Sequence, residues 1–322
     1  MIHRVGICAV LAWAAVSMTG QTLASTAKPA AATTSRTWVQ PRTPDGQPDL
    51  QGVWTNSSAV PLERPKDLGA KEFFTEQEAA EYTKKALRAG AVGVHYDNSQ
   101  WGLAKGQSKF ATNPRTSLIT GEEGRIPPYT PEAQQRLAAK AAARKGHEFD
   151  TAQFRPLPER CIVWDEEGPP MLPATYNSNL EIVQGPGYVA IVNEMIHDVR
   201  MIPLDGRPHV SESIRLWRGD SRGRWEGNTL VIDTTNFTGE TAFKGSTDKL
   251  HVVERITRTS EDVLTYDFTV EDASTWTKPW SGQILLPRAD GGIYEYACHE
   301  GNHGIVGNLG GARADENAAA GK

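Results

Sequence analysis

The chain has 322 residues, 39% of them hydrophobic and 23% charged, with 34 basic against 39 acidic side chains and a net charge of -5. That apolar content supports a packed core and excludes a wholly disordered chain, while charge of both signs spread along the sequence leaves no basic stripe for nucleic acid. The length suits one large domain or two small ones.

The first residues read as a secretory signal over 1–24. Arg4 supplies the positive end, Val5 to Val16 the apolar stretch, and Thr22-Leu23-Ala24 a cleavage site before Ser25. The stretch is too short to span a membrane, and no later apolar run approaches the ~20 residues a bilayer crossing needs. The expectation is a periplasmic or secreted protein with no membrane span. Of the 3 cysteines, Cys8 leaves with the signal. Cys161 and Cys298 remain, and in an oxidising compartment they are expected to pair, the alternative being two buried free thiols.

Residues 25–41, rich in alanine, threonine and serine, read as a flexible lead-in, and 42–150 as a helical and loop extension packed on a β-domain C-terminal to it. Thr75 with Glu78 three residues on is a capping box that opens a helix over TEQEAAEYTKKALR. Thr130 followed by Pro131 opens a second over EAQQRLAAKAAARK.

The β-domain is predicted over 151–303. From Leu180 to His299, apolar and polar residues alternate in segments punctuated by turns, as half-buried strands do. The segments are Tyr188 to Met201, Thr229 to Thr235, His251 to Val270 around a loop at Thr259 to Asp262, and Gly282 to Cys298 around Asp290-Gly291-Gly292. Gly227-Asn228 marks a tight hairpin. Such a series suggests an antiparallel meander that closes into a barrel or folds as a sandwich. The predicted class is mainly β: an antiparallel calycin/lipocalin-like barrel with two or so helices from the N-terminal half packed outside. Residues 304–322, rich in glycine and alanine, are expected to form a flexible tail.

Alternation also assigns faces. With Arg258 opposite Val263, the residues Val253, Arg255 and Thr257 face Phe268, Tyr266 and Leu264 in the interior, and Glu254 lies near Asp267 in solvent. A continuous strand from Val189 to Met201 turns Ile191, Asn193, Met195 and His197 inward and Glu194, Asp198 and Arg200 outward, unless a bulge reverses its later half. His197, His251 and Arg255 are therefore the candidate catalytic residues, a histidine as general base and Arg255 holding an anionic group or oxyanion. Asn193, Tyr266, Trp276 and Trp280 are the candidate ligand-binding residues, since buried amides fix orientation and tryptophans stack on flat ligands. The plainer reading makes these polar residues core groups satisfied by buried partners.

His299-Glu300-Gly301-Asn302-His303 fits the HExxH string of zinc hydrolases, which works only on a helix. The preceding residues, Ile293 to Cys298, read as a strand, and two glycines disfavour a helix, so no metal is expected and zinc-dependent hydrolysis is a minor alternative. The serine-hydrolase elbow and phosphate-binding glycine loops are absent from the sequence.

Several stretches resemble a family of exported proteins of unknown function from soil and freshwater bacteria. They are TPDGQPDLQGVWTN, NEMIHDVRMIPLDGRPH, WRGDSRGRWEGNTLVIDTTNF, LHVVERITR, TWTKPWSG and YEYACHEGN, spread from Arg42 to Asn302. The resemblance implies export; it brings no established activity, and the family's variable position at His303 speaks against the zinc string. Two functional classes emerge from the residues. One is an exported barrel enzyme, a hydrolase, lyase or isomerase, acting without a redox cofactor on a small organic or sugar-derived substrate. The other is a non-catalytic periplasmic carrier of an apolar or aromatic ligand. Oligomeric state is left open by the sequence.

Overall fold

The computed structural model describes residues 38–93, 113–174, 176–240, 243–300 and 302–321. The expected signal, the lead-in up to residue 37 and the stretch 94–112 of the extension lie outside the described residues. Two antiparallel sheets, of four and five strands, carry the fold, and strands adjacent in sequence are adjacent in each sheet. The first holds β1 (Gly52–Thr55), β2 (Asn179–Gly185), β3 (Tyr188–Asn193) and β4 (Val199–Pro203). The second holds β5 (Asp220–Glu226), β6 (Thr229–Thr235), β7 (His251–Ser260), β8 (Val263–Glu271) and β9 (Trp280–Pro287).

Inward aliphatic residues of the first sheet, Leu180, Ile182, Ile191 and Ile202, share one apolar cluster with Leu230, Ile232, Val252, Ile256, Leu264, Phe268, Ile284 and Leu286 of the second. The ladders do not run on from sheet to sheet among the described residues. β4 lies beside β5 without pairing, and β1 meets the end of β9 through an isolated bridge between Trp54 and Arg288. A Cβ at Gly223 of β5 would come within 2.7 Å of the Ile202 side chain and 2.6 Å of Leu204, so any larger residue there would have to push those side chains aside. At the other seam Trp54 is fully buried and its indole N–H donates to Leu50 O at 2.9 Å. The guanidinium groups of Arg288 and Arg258 lie 4.4 and 5.6 Å from its ring centre.

Both predicted helices form. In α1 (Glu76–Gly93) the Thr75 N–H donates to Glu78 Oε2 at 2.8 Å, and the Glu78 N–H donates to Thr75 Oγ1 at 3.3 Å, a reciprocal capping box. In α2 (Pro131–Arg144) the Thr130 side chain accepts from the Ala133 N–H at 3.1 Å. The expected tail is instead α3 (His303–Ala319), started by Asn302, whose side chain accepts from the Ile305 N–H. Arg313 of α3 donates to the carbonyls of Phe149 and Asp150, which ties the helix back to the chain after α2.

Three further expectations are corrected. Strand β1 comes from the segment read as an extension, so that segment contributes to the first sheet itself. The strand expected over Ile293 to Cys298 is absent, because β9 ends at Pro287 and only Arg288 bridges onward. The faces of β7 are inverted. Ser260, not Arg258, pairs with Val263, and a register shift between Arg258 and Ser260 sets Glu254 opposite Phe268 and Ile256 opposite Tyr266. A one-residue slip moves a whole strand's side chains to the other face. Val252, Glu254, Ile256 and Arg258 are thus buried, while His251 and Arg255 face outward.

The strand expected from Val189 to Met201 is also broken, by a 3-10 turn at Met195–His197 in which Ile196 and His197 have φ of 46° and 45°. Two left-handed residues in succession reverse the alternation beyond them. Arg200 and Ile202 turn inward, Val199 and Met201 are exposed, and Glu194 is buried at the turn.

Candidate functional site

None of the predicted catalytic residues lines either of the two cavities described below. His197 is exposed, its Nδ1 3.1 Å from Tyr296 O. Arg255 pairs on the outer face with Glu226 at 2.9 Å. His251 belongs to an outward cluster on the second sheet: its Nε2 is 3.2 Å from Asp233 Oδ2, and Asp233 Oδ1 is 3.0 Å from His209 Nε2. His209 Nδ1 in turn lies 2.9 Å from Asp220 Oδ2. The hydrogen bond to Asp233 raises the His251 pKa above its usual value, and the same bond holds Asp233 below the ordinary carboxylate range.

Of the predicted ligand-binding residues, Tyr266, Trp276 and Trp280 are core residues. The two indoles meet edge to face, with centroids 5.7 Å apart. Tyr266 completes a polar bolt between the sheets. Arg200 of β4 makes a two-pronged pair with Glu254 of β7, at 2.9 and 3.0 Å. The Tyr266 hydroxyl donates to Glu254 Oε1 at 2.8 Å and accepts from the Met171 N–H at 2.9 Å. Burial opposes the Arg200 charge, but the Glu254 carboxylate outweighs it and raises the Arg200 pKa. Burial also carries the Tyr266 pKa well above its usual value. This is the plainer reading of an inward arginine, realised by Arg200 instead of Arg255.

One of these cavities lies where β5 and β7 begin and β6 ends. It is a cleft of about 320 Å³, lined on one side by Val163 to Glu166, Gly168, Pro169 and Leu172, and on the other by Trp217, Arg218, Phe237, Phe243, Lys244 and Leu250. A 3-10 turn at Asp165–Glu167 presents the carboxylates. Arg218 fastens this turn to the sheets: it donates to Gly168 O at 2.7 Å and Trp164 O at 3.2 Å, and pairs with both Glu167 and Asp198. Phe243 stacks on Trp280 at 6.0 Å, so the predicted Trp280 backs the cleft wall without lining it.

Burial raises the pKa of Glu166; its neighbour Asp165 adds to the rise, and Lys244 and the Trp164 side chain oppose it. Glu167 is pushed up to about 8, again chiefly by burial, against the pull of Arg218. A small annex of about 20 Å³ shares Trp164, Glu166 and Leu172 with the cleft. Asn56, Asn179 and Asn193 are among its walls, so Asn193 is the predicted site residue that does reach a cavity.

Cys161 and Cys298 are joined by a disulfide, 137 residues apart in sequence. The bridge anchors the segment that leads into the cleft floor. His299 and Glu300 precede α3, whose first residue is His303, so the two histidines of the HEGNH string do not sit one turn apart on a helix. No described helix is long and apolar enough to cross a membrane. No protein-family model matches the chain, and no curated protein matches its sequence.

Sequence reasoning missed Glu166, Glu167, Arg218 and Lys244. The available signal was the acidic triplet Asp165-Glu166-Glu167 set between Trp164 and Gly168-Pro169-Pro170. An aromatic, clustered carboxylates and a rigid turn side by side is an unusual combination for an ordinary solvated loop.

Proposed function

We propose that the protein is an exported enzyme that binds a small organic or sugar-derived molecule in this cleft and performs acid–base chemistry on it without a redox cofactor, as a hydrolase, lyase or isomerase. The observation that carries the reading is Glu166, a carboxyl with a raised pKa lining an aromatic-walled cleft beside Lys244. A carboxyl that keeps its proton nearer neutrality is suited to donate it to a leaving group or carbonyl oxygen. Lys244 and Arg218, both lining the cleft, supply positive charge against a developing anion. Trp164, Phe237 and Phe243 offer faces for a sugar ring or flat ligand.

Export is supported by the apolar leader Val5 to Val16 and by the Cys161–Cys298 bridge, and the resemblance to exported bacterial proteins agrees with both. The calycin-like reading of the fold is supported by the Trp54–Arg288 bridge, which brings the outer edges of the two sheets together. Thermal-shift screening against neutral sugars, aromatic acids and aromatic amines, followed by product analysis for each binder, tests the function. Glu166→Gln is expected to keep binding and to lower turnover by about 10²-fold or more. Turnover unchanged in that variant overturns the assignment, and tight binding with no product from the unaltered protein makes it a carrier.

A further inference from the structure

The annex differs from the cleft in chemistry as well as size. Three of the atoms on its lining residues are buried oxygens with no hydrogen-bond partner: Asn56 Oδ1, Asn179 Oδ1 and Glu167 Oε1. Their residues are only 5–6% exposed. The amide nitrogens beside them are already committed. Asn56 Nδ2 donates to Leu172 O at 2.7 Å, and the Asn179 side chain hydrogen-bonds Glu194. Glu194 also accepts from Asn177 Nδ2 at 2.7 Å. With Glu167 ionised, which a bound cation favours, the unmet need is for donors.

Leaving buried acceptors unmatched is costly, and a native fold that keeps several together calls for an occupant. The volume of about 20 Å³ admits one water-sized group and nothing larger. An anionic group brings only acceptors and would face carboxylates. A hydroxyl brings one donor and a water two, and neither brings charge. A primary ammonium brings three donors in a single atom's volume together with positive charge. The three glutamates around the annex, Glu166, Glu167 and Glu194, all have pKa values raised by burial, the condition that a cation placed among them relieves.

We infer that the annex is an ammonium-anchoring subsite: the ligand's primary amine enters it and donates to Glu167 Oε1, Asn56 Oδ1 and Asn179 Oδ1, while its apolar or aromatic body lies in the cleft against Trp164 and Leu172. The inference rests on the cleft being the small-molecule site, and it narrows the ligand class to primary amines. Lys244, exposed on the opposite wall, keeps the cationic end from binding the other way round.

Calorimetric titration of the disulfide-bonded protein with benzylamine, benzyl alcohol, benzoate and benzyltrimethylammonium at neutral pH tests it. Benzylammonium is expected to bind at least about tenfold more tightly than the alcohol, a preference equal to one satisfied charged hydrogen bond. The quaternary cation, which has no N–H and exceeds the annex, is expected to lose that advantage. Glu167→Gln and, independently, Asn56→Ser are expected to shrink the amine-over-alcohol ratio several-fold, with melting curves recorded for both. If Glu167→Gln does not fold because Arg218 loses its partner, Asn56→Ser carries the test. Equal binding of amine and alcohol, or a preference that survives Asn56→Ser, overturns the subsite and leaves the cleft assignment standing. Failure of all four probes to bind removes both.

Discussion

Strand β7 carries an ionic cluster on each face, and the two behave as different kinds of object. Inside, Glu254 is held by Arg200 and Tyr266, with no water-accessible surface on the carboxylate residue. Outside, His251 shares Asp233 with His209 at the sheet surface, and the His251 and Asp233 side chains remain 35% and 32% exposed. The residues are three apart on one strand, and the chemistry of each pair is similar. Burial separates them. The inner cluster was dehydrated on folding, so each member depends on the others; the outer one is solvated and each member has water as an alternative partner.

The largest expected effect comes from Arg200→Met, which leaves Glu254 buried without its cation. Loss of one partner of a buried pair costs about 3–5 kcal/mol, read as a fall in the midpoint of urea unfolding. Replacing both, Arg200→Met with Glu254→Leu, is expected to recover a large part of that loss, because the orphaned charge is gone. A double variant as unstable as the sum of the singles would mean that the pair is not coupled.

Tyr266→Phe ranks next. It removes a donor from Glu254 and orphans the Met171 N–H, for an expected loss of about 1–3 kcal/mol. Met171 directly follows the Gly168-Pro169-Pro170 turn at the cleft, so ligand binding is expected to weaken in parallel with stability.

How much of this was legible is decided on the same strands. Turn chemistry and caps are local, so the Gly227-Asn228 hairpin, the Thr75–Glu78 box and the Thr130-Pro131 start were readable directly. The inward face of β8 was readable too, since Leu264, Tyr266, Phe268 and Val270 alternate cleanly. On β7 both faces carry charges, and sequence alone makes solvent the cheaper place for Glu254. Its partner Arg200 lies on another sheet, and only the turn at Ile196 and His197 points that arginine inward. A β-branched residue such as Ile196 is among the least expected left-handed types, and His197, a commoner one, does not mark the turn by itself. The cleft is assembled from loops far apart in the chain and has no periodicity to read.

His251→Gln is expected to have a smaller, pH-dependent effect. Asp233 raises the His251 pKa above its ordinary 6.5, so the stabilisation is full below that value and is lost as pH rises through the raised one. The same contact depresses Asp233 below its ordinary 3.8, so its share is lost only as pH falls through the depressed value. The gap between parent and variant should therefore be widest between about pH 4 and 6.5, and below about 1 kcal/mol after allowance for solvent exposure. A gap that widens toward pH 9 would contradict the assignment. Arg255→Met, which removes a pair to the exposed Glu226, is expected to leave the unfolding midpoint unchanged, and a clear drop would show that the outer face matters more than its solvation suggests.

The placement of β1 has a consequence in time. Thr55 pairs with Asn179, a partner far along the chain, whereas β5 through β9 and β2 through β4 join through neighbours in sequence. Closing long loops costs chain entropy before contacts repay it, so short-range hairpins assemble first and β1 is expected to dock late. Substitutions at the Trp54 seam should then leave the refolding rate nearly untouched and accelerate unfolding, because a strand absent from the transition state governs only how long the finished molecule lasts.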